Sequence, residues 1–395
     1  MAVAEKKMTL LPWLIFVYLV IFPFGQLGRI ELTSNIIVHA VDLVAGLIGL
    51  FWVVRFTRRR LARLKVPKLG RPFLSFLAVA AFTLLLGAIR VVPNEALAGF
   101  FYLLRFTAYV LLYFAVRDVV ARKKELKHTL VNALLTVGSF VAVFGWIQYL
   151  AFPSLVPLSE YGWDPHYFRL VGTFLDSGFT GILLALFTLL IFTKIWSGGA
   201  KAGDWALLFL GISSLALTYS RASYLAFFAG LVILYIVRRN LKLLVGGLVL
   251  LAIAVFLLPR PAGEGVRLER TSTVNSRLES YKEAVAIVKN NPLFGVGFNL
   301  YRAVNEDESK LSHAGAGTHS SLLFVLATTG IAGFATFSWL LWQIAHFLWL
   351  RRNKVNGMLV VASFWAIFIH SFFDNSLFYP WVLGQFAILL GTLED

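Results

Sequence analysis

The chain has 395 residues, 59% of them hydrophobic and 14% charged, where a soluble domain carries about 25% charged residues. This excludes a soluble enzyme and defines a polytopic membrane protein, a single helical membrane domain over 1–395. The net charge of +16 raises nucleic acid as a partner, but most Lys and Arg stand in short loops between apolar runs, which is an orientation signal and excludes that reading.

Without cysteine there is no disulfide, thiol nucleophile or Cys-ligated metal. At the N-terminus Glu5, Lys6 and Lys7 precede a long apolar run with no small-residue cleavage site, so that run reads as a first span and not a cleaved signal. Apolar runs near the ~20 residues that cross ~30 Å of hydrocarbon fall at roughly 10–27, 36–55, 72–90, 96–116, 129–151, 177–195, 204–219, 222–237, 241–258, 331–350, 357–374 and 376–393, twelve predicted spans.

With both termini cytoplasmic, every basic cluster falls on the cytoplasmic side. These are Arg58 to Arg60 with Arg63, Lys65, Lys68 and Arg71; Arg122 to Lys124 with Lys127; Lys194 and Lys201; Arg238, Arg239 and Lys242; and Arg351, Arg352 and Lys354. Topology and contact with anionic lipid account for these clusters. The outer side then receives the loop 152–176, the turn at Tyr219 to Ala222, the long segment 259–318 and the turn at Asp374 and Asn375. We see no inverted repeat of the kind that builds secondary transporters.

The segment after Pro259 is polar and carries Arg260, Arg267, Arg270, Arg277, Arg302 and His313. In so apolar a chain it must lie outside the bilayer, and it is where chemistry is expected. Ser276-Arg277-Leu278-Glu279 fits a capping box, and Leu278, Tyr281, Val285 and Val288 follow at helical spacing until Asn291-Pro292, so an amphipathic helix is expected to start at Arg277. A helix N-terminus with an arginine fork suits two phosphate oxygens. A capped surface helix with a solvated arginine is the other reading.

Arg221 stands between two short apolar runs and is placed at or just below the outer surface, either for function or snorkelling to headgroups. Arg105, in the fourth span, pairs with Asp42 of the second in our reading. We take this as a structural ion pair far below the outer face, the alternative being a proton or substrate pathway. His319 opens an apolar run to Thr329, with Gly330 and Gly333 breaking it before the next span. A helix-start position disfavours imidazolium and would leave a neutral ring able to take a proton. No strong metal signature is present, Glu306, Asp307 and Glu308 reading as a solvated acidic loop. Nor is there a Walker-type loop, so no nucleotide is implied and energy for bond formation must come from an activated substrate.

These residues resemble the O-antigen ligase family and the related polymerases of bacterial surface polysaccharides. His319-Ser320, nine residues, then Gly330-Ile331-Ala332-Gly333 is similar to the family's His-Asn/Ser and Gly-x-x-Gly signature. Ser220-Arg221-Ala222 resembles its Ser-Arg-Gly/Ala turn, and Arg277 with Pro292 to Gly297 its Arg and Pro-x-x-Gly-x-Gly block. Arg169 to Phe174 resembles Arg-x-x-Gly-Thr-Phe, although Leu175-Asp176-Ser177-Gly178 stands where Asn-Pro-Asn is common. The resemblance covers roughly the second half of the chain.

It implies an all-α integral membrane protein of GT-C-like architecture in the bacterial inner membrane. The implied reaction is metal-independent, inverting glycosyl transfer from undecaprenyl-diphosphate-linked glycan to a lipid A core hydroxyl at the periplasmic face, with no cofactor and with membrane lipids as surroundings. His319 would be the general base, Arg221 and Arg277 would hold the diphosphate, and Arg169, Ser320, Gly295 and Gly297 would bind substrate. A polymerase that extends a second lipid-linked unit, a protein O-oligosaccharyltransferase and, from a different class, a lipid-glycan carrier are the alternatives.

Overall fold

A computed structural model describes residues 10–33, 35–58, 67–198, 200–259, 261, 264–304, 317–354 and 356–393. Arg260, Glu306, Asp307, Glu308, His313, the small-residue run 314–316, the N-terminal Glu5, Lys6 and Lys7 and the basic Arg59, Arg60, Arg63 and Lys65 lie outside the described residues. The helices are α1 (Leu10–Ile21), α2 (Ala40–Arg58), α3 (Gly70–Ala88), α4 (Pro93–Arg122), α5 (Leu126–Ala151), α6 (Ser177–Trp196), α7 (Ala202–Leu217), α8 (Arg221–Arg238), α9 (Leu241–Phe256), α10 (Ser272–Asn290), α11 (Ser321–Leu350), α12 (Gly357–His370) and α13 (Pro380–Gly391).

Among the described residues eight apolar segments are long enough to cross a membrane, the first joining α1 to the 3₁₀ turn that follows it. Four further apolar helices, α7, α9, α12 and α13, are shorter. All of them fall one for one on the segments expected from hydropathy, so the chain is a mostly helical, multi-pass membrane protein. Helix α6 is buried along most of its length at the centre of the bundle. Outer helices such as α9 turn Val245, Val249 and Ile253 outward, as lipid-facing helices do.

Three local expectations are corrected. Residues 36–39 do not begin a span: Arg29–Thr33 and Ile36–His39 (β1 and β2) pair as an antiparallel hairpin, and α2 starts at Ala40. The amphipathic helix does not start at Arg277. It begins five residues earlier with Thr271 as N-cap, so Ser276 lies inside α10 and Arg277 occupies its second turn. The run from Ser321 is not separated from the next span, because α11 continues to Leu350 with only a kink at Gly330 (φ 63°, ψ −166°).

The kink explains a motif that sequence alone leaves as a pattern. A break in a helix frees backbone groups that must find other partners. Here the segment Pro292 to Gly297 supplies them: Ile331 N–H donates to Pro292 O (2.9 Å), Ala332 N–H to Leu293 O (3.2 Å), Val296 N–H to Ala327 O (3.1 Å) and Gly297 N–H to Thr328 O (2.9 Å). Such contact needs glycine on both sides. At Gly330 a Cβ would sit 2.3 Å from the Leu293 backbone, and at Gly295 (φ 62°) one would sit 2.4 Å from the Thr328 carbonyl carbon. Gly295→Ala is therefore expected to cost about 1–3 kcal/mol through overpacking, with further strain from the positive φ. Thermal unfolding in detergent measures it, and an unchanged midpoint would show that α11 does not need this docking.

The two ends of the bundle differ in chemistry. Arg221 begins α8 and Arg238 ends it, so they are about 26 Å apart at 1.5 Å per residue. At the Arg238 end His128, Lys194, Arg238, Arg352 and Lys354 line one large cavity, as the grouping of basic loops on one side requires. The opposite end carries the site described next.

Candidate active site

Helix α10 organises this end through one face. Arg277 and Ser280 are one turn apart, with Tyr281 beside them. The Arg277 Nη2 group lies 3.5 Å from Asp374 Oδ2. Ser280 Oγ accepts from the His319 backbone N–H (3.3 Å) and donates to Thr318 Oγ1 (3.2 Å), while Tyr281 OH donates to Phe372 O (2.5 Å). The helix thus clamps the entry to α11 against the 371–375 turn. That turn is tied to α11 a second time, by Ser321 N–H to Ser371 O (2.9 Å) and Leu377 N–H to Ser321 Oγ (3.1 Å).

Asp374 is the hub. Its Oδ1 lies 3.8 Å from His319 Nδ1, and its Oδ2 faces both Arg277 and, at 3.7 Å, His370 Nε2. Burial alone would raise its pKa, but His319, His370 and Arg277 outweigh that and hold Asp374 below the usual carboxylate range. A carboxylate whose pKa is depressed by folding contributes stability that is present above its unfolded value and lost as pH falls through the folded one. The contribution is intact at neutral pH and is lost only below about pH 4.

His319 stands just before α11, whose N-cap is Ser320. The Ser320 hydroxyl accepts from Leu323 N–H (3.5 Å), so this side chain is engaged in starting the helix. Nδ1 is the ring atom that His319 turns to Asp374. His319, Asp374, Asp164 and Asp176 line a cavity of about 340 Å³ that also takes in Arg29, His39, Glu95, Arg105 and Arg302.

The Arg105–Asp42 ion pair expected from the sequence is present at 2.8 Å, extended by His39 Nδ1 (3.1 Å) and Tyr109 OH (2.9 Å) on Asp42. Its expected seclusion from the other candidates is not, because Arg105 lines the same cavity as His319. The hairpin before α2 is what lets the cavity reach it: β2 carries His39, and Arg105 donates to the Ile37 carbonyl.

The remaining arginines gather one step away, around the turn between α7 and α8. Tyr219 takes a left-handed conformation there (φ 49°), one that most side chains avoid. Its carbonyl accepts from Arg270 Nη2 (3.0 Å), and Thr218 O accepts from Arg169 Nε (3.0 Å). Burial, together with Arg270 close by, pushes the Arg169 pKa down to about 10. Arg221 is the first residue of α8 and donates through Nη1 to Leu268 O (3.1 Å), with its buried Nη2 unpartnered among the described residues. The helix N-terminus expected under Arg277 is thus found under Arg221.

The two groups of arginines are connected by a polar relay. His370 Nε2 lies 3.7 Å from Asp374 and 3.2 Å from Ser223 Oγ, which is 2.8 Å from Ser220 Oγ, the cap of α8. Of the residues expected at the site, His319 and Arg277 come together on Asp374, and Arg169 and Arg221 meet at the neighbouring turn. Gly295 and Gly297 are placed against α11 and do not line the cavity. Asp374, His370 and Arg270 carry more of the site than their sequence contexts announce; the one local signal is a histidine and an aspartate one turn apart at the end of an apolar run.

The fold and site define a multi-pass helical membrane protein with a cation-rich polar cavity at one end of its bundle. Residues 206–338 match the family model described as O-antigen ligase, which supports a member of that family. The matched region contains Arg221, Arg277, Gly295, Gly297, His319 and Ser320, while Arg169 and Asp374 lie beyond it. A comparison with curated proteins gives no match.

Proposed function

We propose that this protein is a glycosyltransferase of the ligase type, transferring glycan from undecaprenyl diphosphate to a sugar hydroxyl of lipid A core at the periplasmic face of the bacterial inner membrane. The observation that carries the reading is the His319–Asp374–Arg277 cluster, in which Asp374 sets a candidate base and a cation for the leaving group, both from the family-matched part of the chain, beside one another. In this account twelve spans, in a GT-C-like arrangement, place the cavity end outside.

The acceptor hydroxyl gives its proton to His319 Nε2 as its oxygen attacks the anomeric carbon from the face opposite the diphosphate. The bond from that carbon to the diphosphate oxygen breaks, and the electron pair leaves on diphosphate. Asp374 holds the ring through Nδ1 and stabilises the imidazolium that forms. Arg277 and Arg221, whose buried Nε and Nη2 have no hydrogen-bond partner among the described residues, supply donors for the charge on the departing diphosphate, so the transfer step itself calls on no metal. Arg169 acts on this site by holding the Thr218–Tyr219 turn, and Gly295 and Gly297 by seating α11. The exposed apolar side chains Val274, Leu278 and Val285 of α10 lie beside the membrane surface and the lipid tail.

The test offers purified protein a lipid-diphosphate-linked glycan with either lipid A core or a second lipid-linked unit. Transfer to lipid A core is expected. Product formed only on the second unit would make the protein a polymerase and overturn the ligase assignment.

A further inference from the structure

The loop 152–176 and the start of α6 bring together three side chains that no sequence spacing associates. A ring nitrogen of His166 and one carboxylate oxygen each from Asp164 and Asp176 lie within 4.8 Å of one another. The loop is closed for this by Leu155 N–H donating to His166 O (2.8 Å) and Phe168 N–H to Pro153 O (2.8 Å), which pin the segment carrying His166. Asp176 caps α6, accepting from Phe179 N–H through Oδ1 (2.7 Å), so Oδ2 is left for a ligand.

The histidine supplies a second, independent observation. His166 is only 9% exposed, and its Nε2 is buried with no hydrogen-bond partner among the described residues. An imidazole nitrogen left unpaired at such depth costs free energy unless something fills the space beside it. Asp374 also faces Asp176 across Gly178, where a Cβ would lie 2.9 Å from Asp374 Oδ2 and 3.2 Å from Asp176 Oδ1, so carboxylates gather on this side of the loop.

We propose that Asp164, His166 and Asp176 form a binding site for a first-row divalent cation of the Zn²⁺ or Mn²⁺ class, which fastens the 152–176 loop to the first turn of α6. One imidazole and two carboxylates form a mixed nitrogen and oxygen set that suits these ions, whereas Mg²⁺ and Ca²⁺ favour oxygen alone. Metal–ligand distances of about 2.0–2.2 Å place donor atoms roughly 3 Å apart, so binding draws the exposed Asp164 inward over the other two. Asp164 and Asp176 also line the cavity that holds His319 and Asp374, so the ion borders it, and it acts on the loop, outside the transfer step.

The test uses full-length protein in detergent, stripped with EDTA and dialysed. Titration with ZnCl₂ or MnCl₂ is expected to show one saturable equivalent per chain and a rise in Tm of about 5 °C at saturation. With Co²⁺ as probe, ligand-field absorption bands should appear on binding. Asp164→Asn, at an exposed position that does not threaten folding, and His166→Asn should each lose the saturable equivalent, the Tm rise and the bands. No saturable binding by the wild type, or equal binding by both variants, would overturn the proposal.

Discussion

His319→Ala is expected to lower the rate of glycan transfer by about 10²–10⁴-fold, the usual contribution of a general base, while the protein keeps its fold and its affinity for the lipid-linked donor. The side chain is one-third exposed at the cavity and lies outside the hydrogen bonds that start α11, which belong to Ser320. Its removal therefore deletes chemistry and little packing. Asp374→Asn separates the base from its partner: the amide still fits the turn but no longer stabilises the imidazolium. That variant should also lose rate, and the double variant should lose little more than His319→Ala alone, because residues acting as one unit are not additive. Steady-state transfer rates over pH measure both. Equal rates for wild type and His319→Ala would remove the histidine from the mechanism.

Arg277→Ala is the second large effect, about 10²–10³-fold, comparable with the loss of one donor to a developing oxyanion. Arg277 reaches the site from the second turn of α10 and contacts Asp374, with its Cζ 5.8 Å over the Phe373 ring. In the proposed reaction it exchanges part of that contact for diphosphate as charge builds on the leaving group. The loss should therefore fall on kcat more than on KM, and lysine should rescue poorly, since an ammonium cannot present the planar fork. Deleting Arg277 also leaves Asp374 with less opposing charge. A smaller fall in thermal stability at neutral pH should accompany the kinetic loss, and should shrink at low pH, where Asp374 is protonated in either protein. A variant with full activity and lowered stability would make Arg277 a structural clamp.

The fold was legible where information is local. Apolar length and loop charge placed the apolar helices, and the basic loops share one end because helices that run up and down alternate their connections. The order His319, Gly330, Gly333 and the Pro292 to Gly297 block were legible as motifs. Their reason was not, since the glycines serve a contact between two segments that only the folded chain brings together.

The site was legible in its cations and less so in its anions. Arg221, Arg277 and His319 are conspicuous because charge is scarce in so apolar a sequence. Asp374 reads as a turn residue and His370 as the end of an apolar run, and each acquires meaning only from the other and from α10 above them. Asp164, His166 and Asp176 were missed as a group because their spacing follows a loop path and no repeating element. The start of α10 was misplaced for the opposite reason: Ser276 and Glu279 form a convincing cap pattern in a stretch where Thr271 begins the helix.

A glycosyltransferase of the proposed kind joins a glycan to a hydroxyl and releases lipid diphosphate in the same step. The decisive measurement incubates the purified protein in detergent with a lipid-diphosphate-linked glycan and lipid A core, and follows both products, the coupled glycan and the released lipid diphosphate. The account predicts that they form in equal amounts, with the new linkage inverted at the anomeric carbon relative to the donor. Absence of both products from competent substrates, together with movement of the intact donor between leaflets of proteoliposomes, would contradict it and make the protein a carrier.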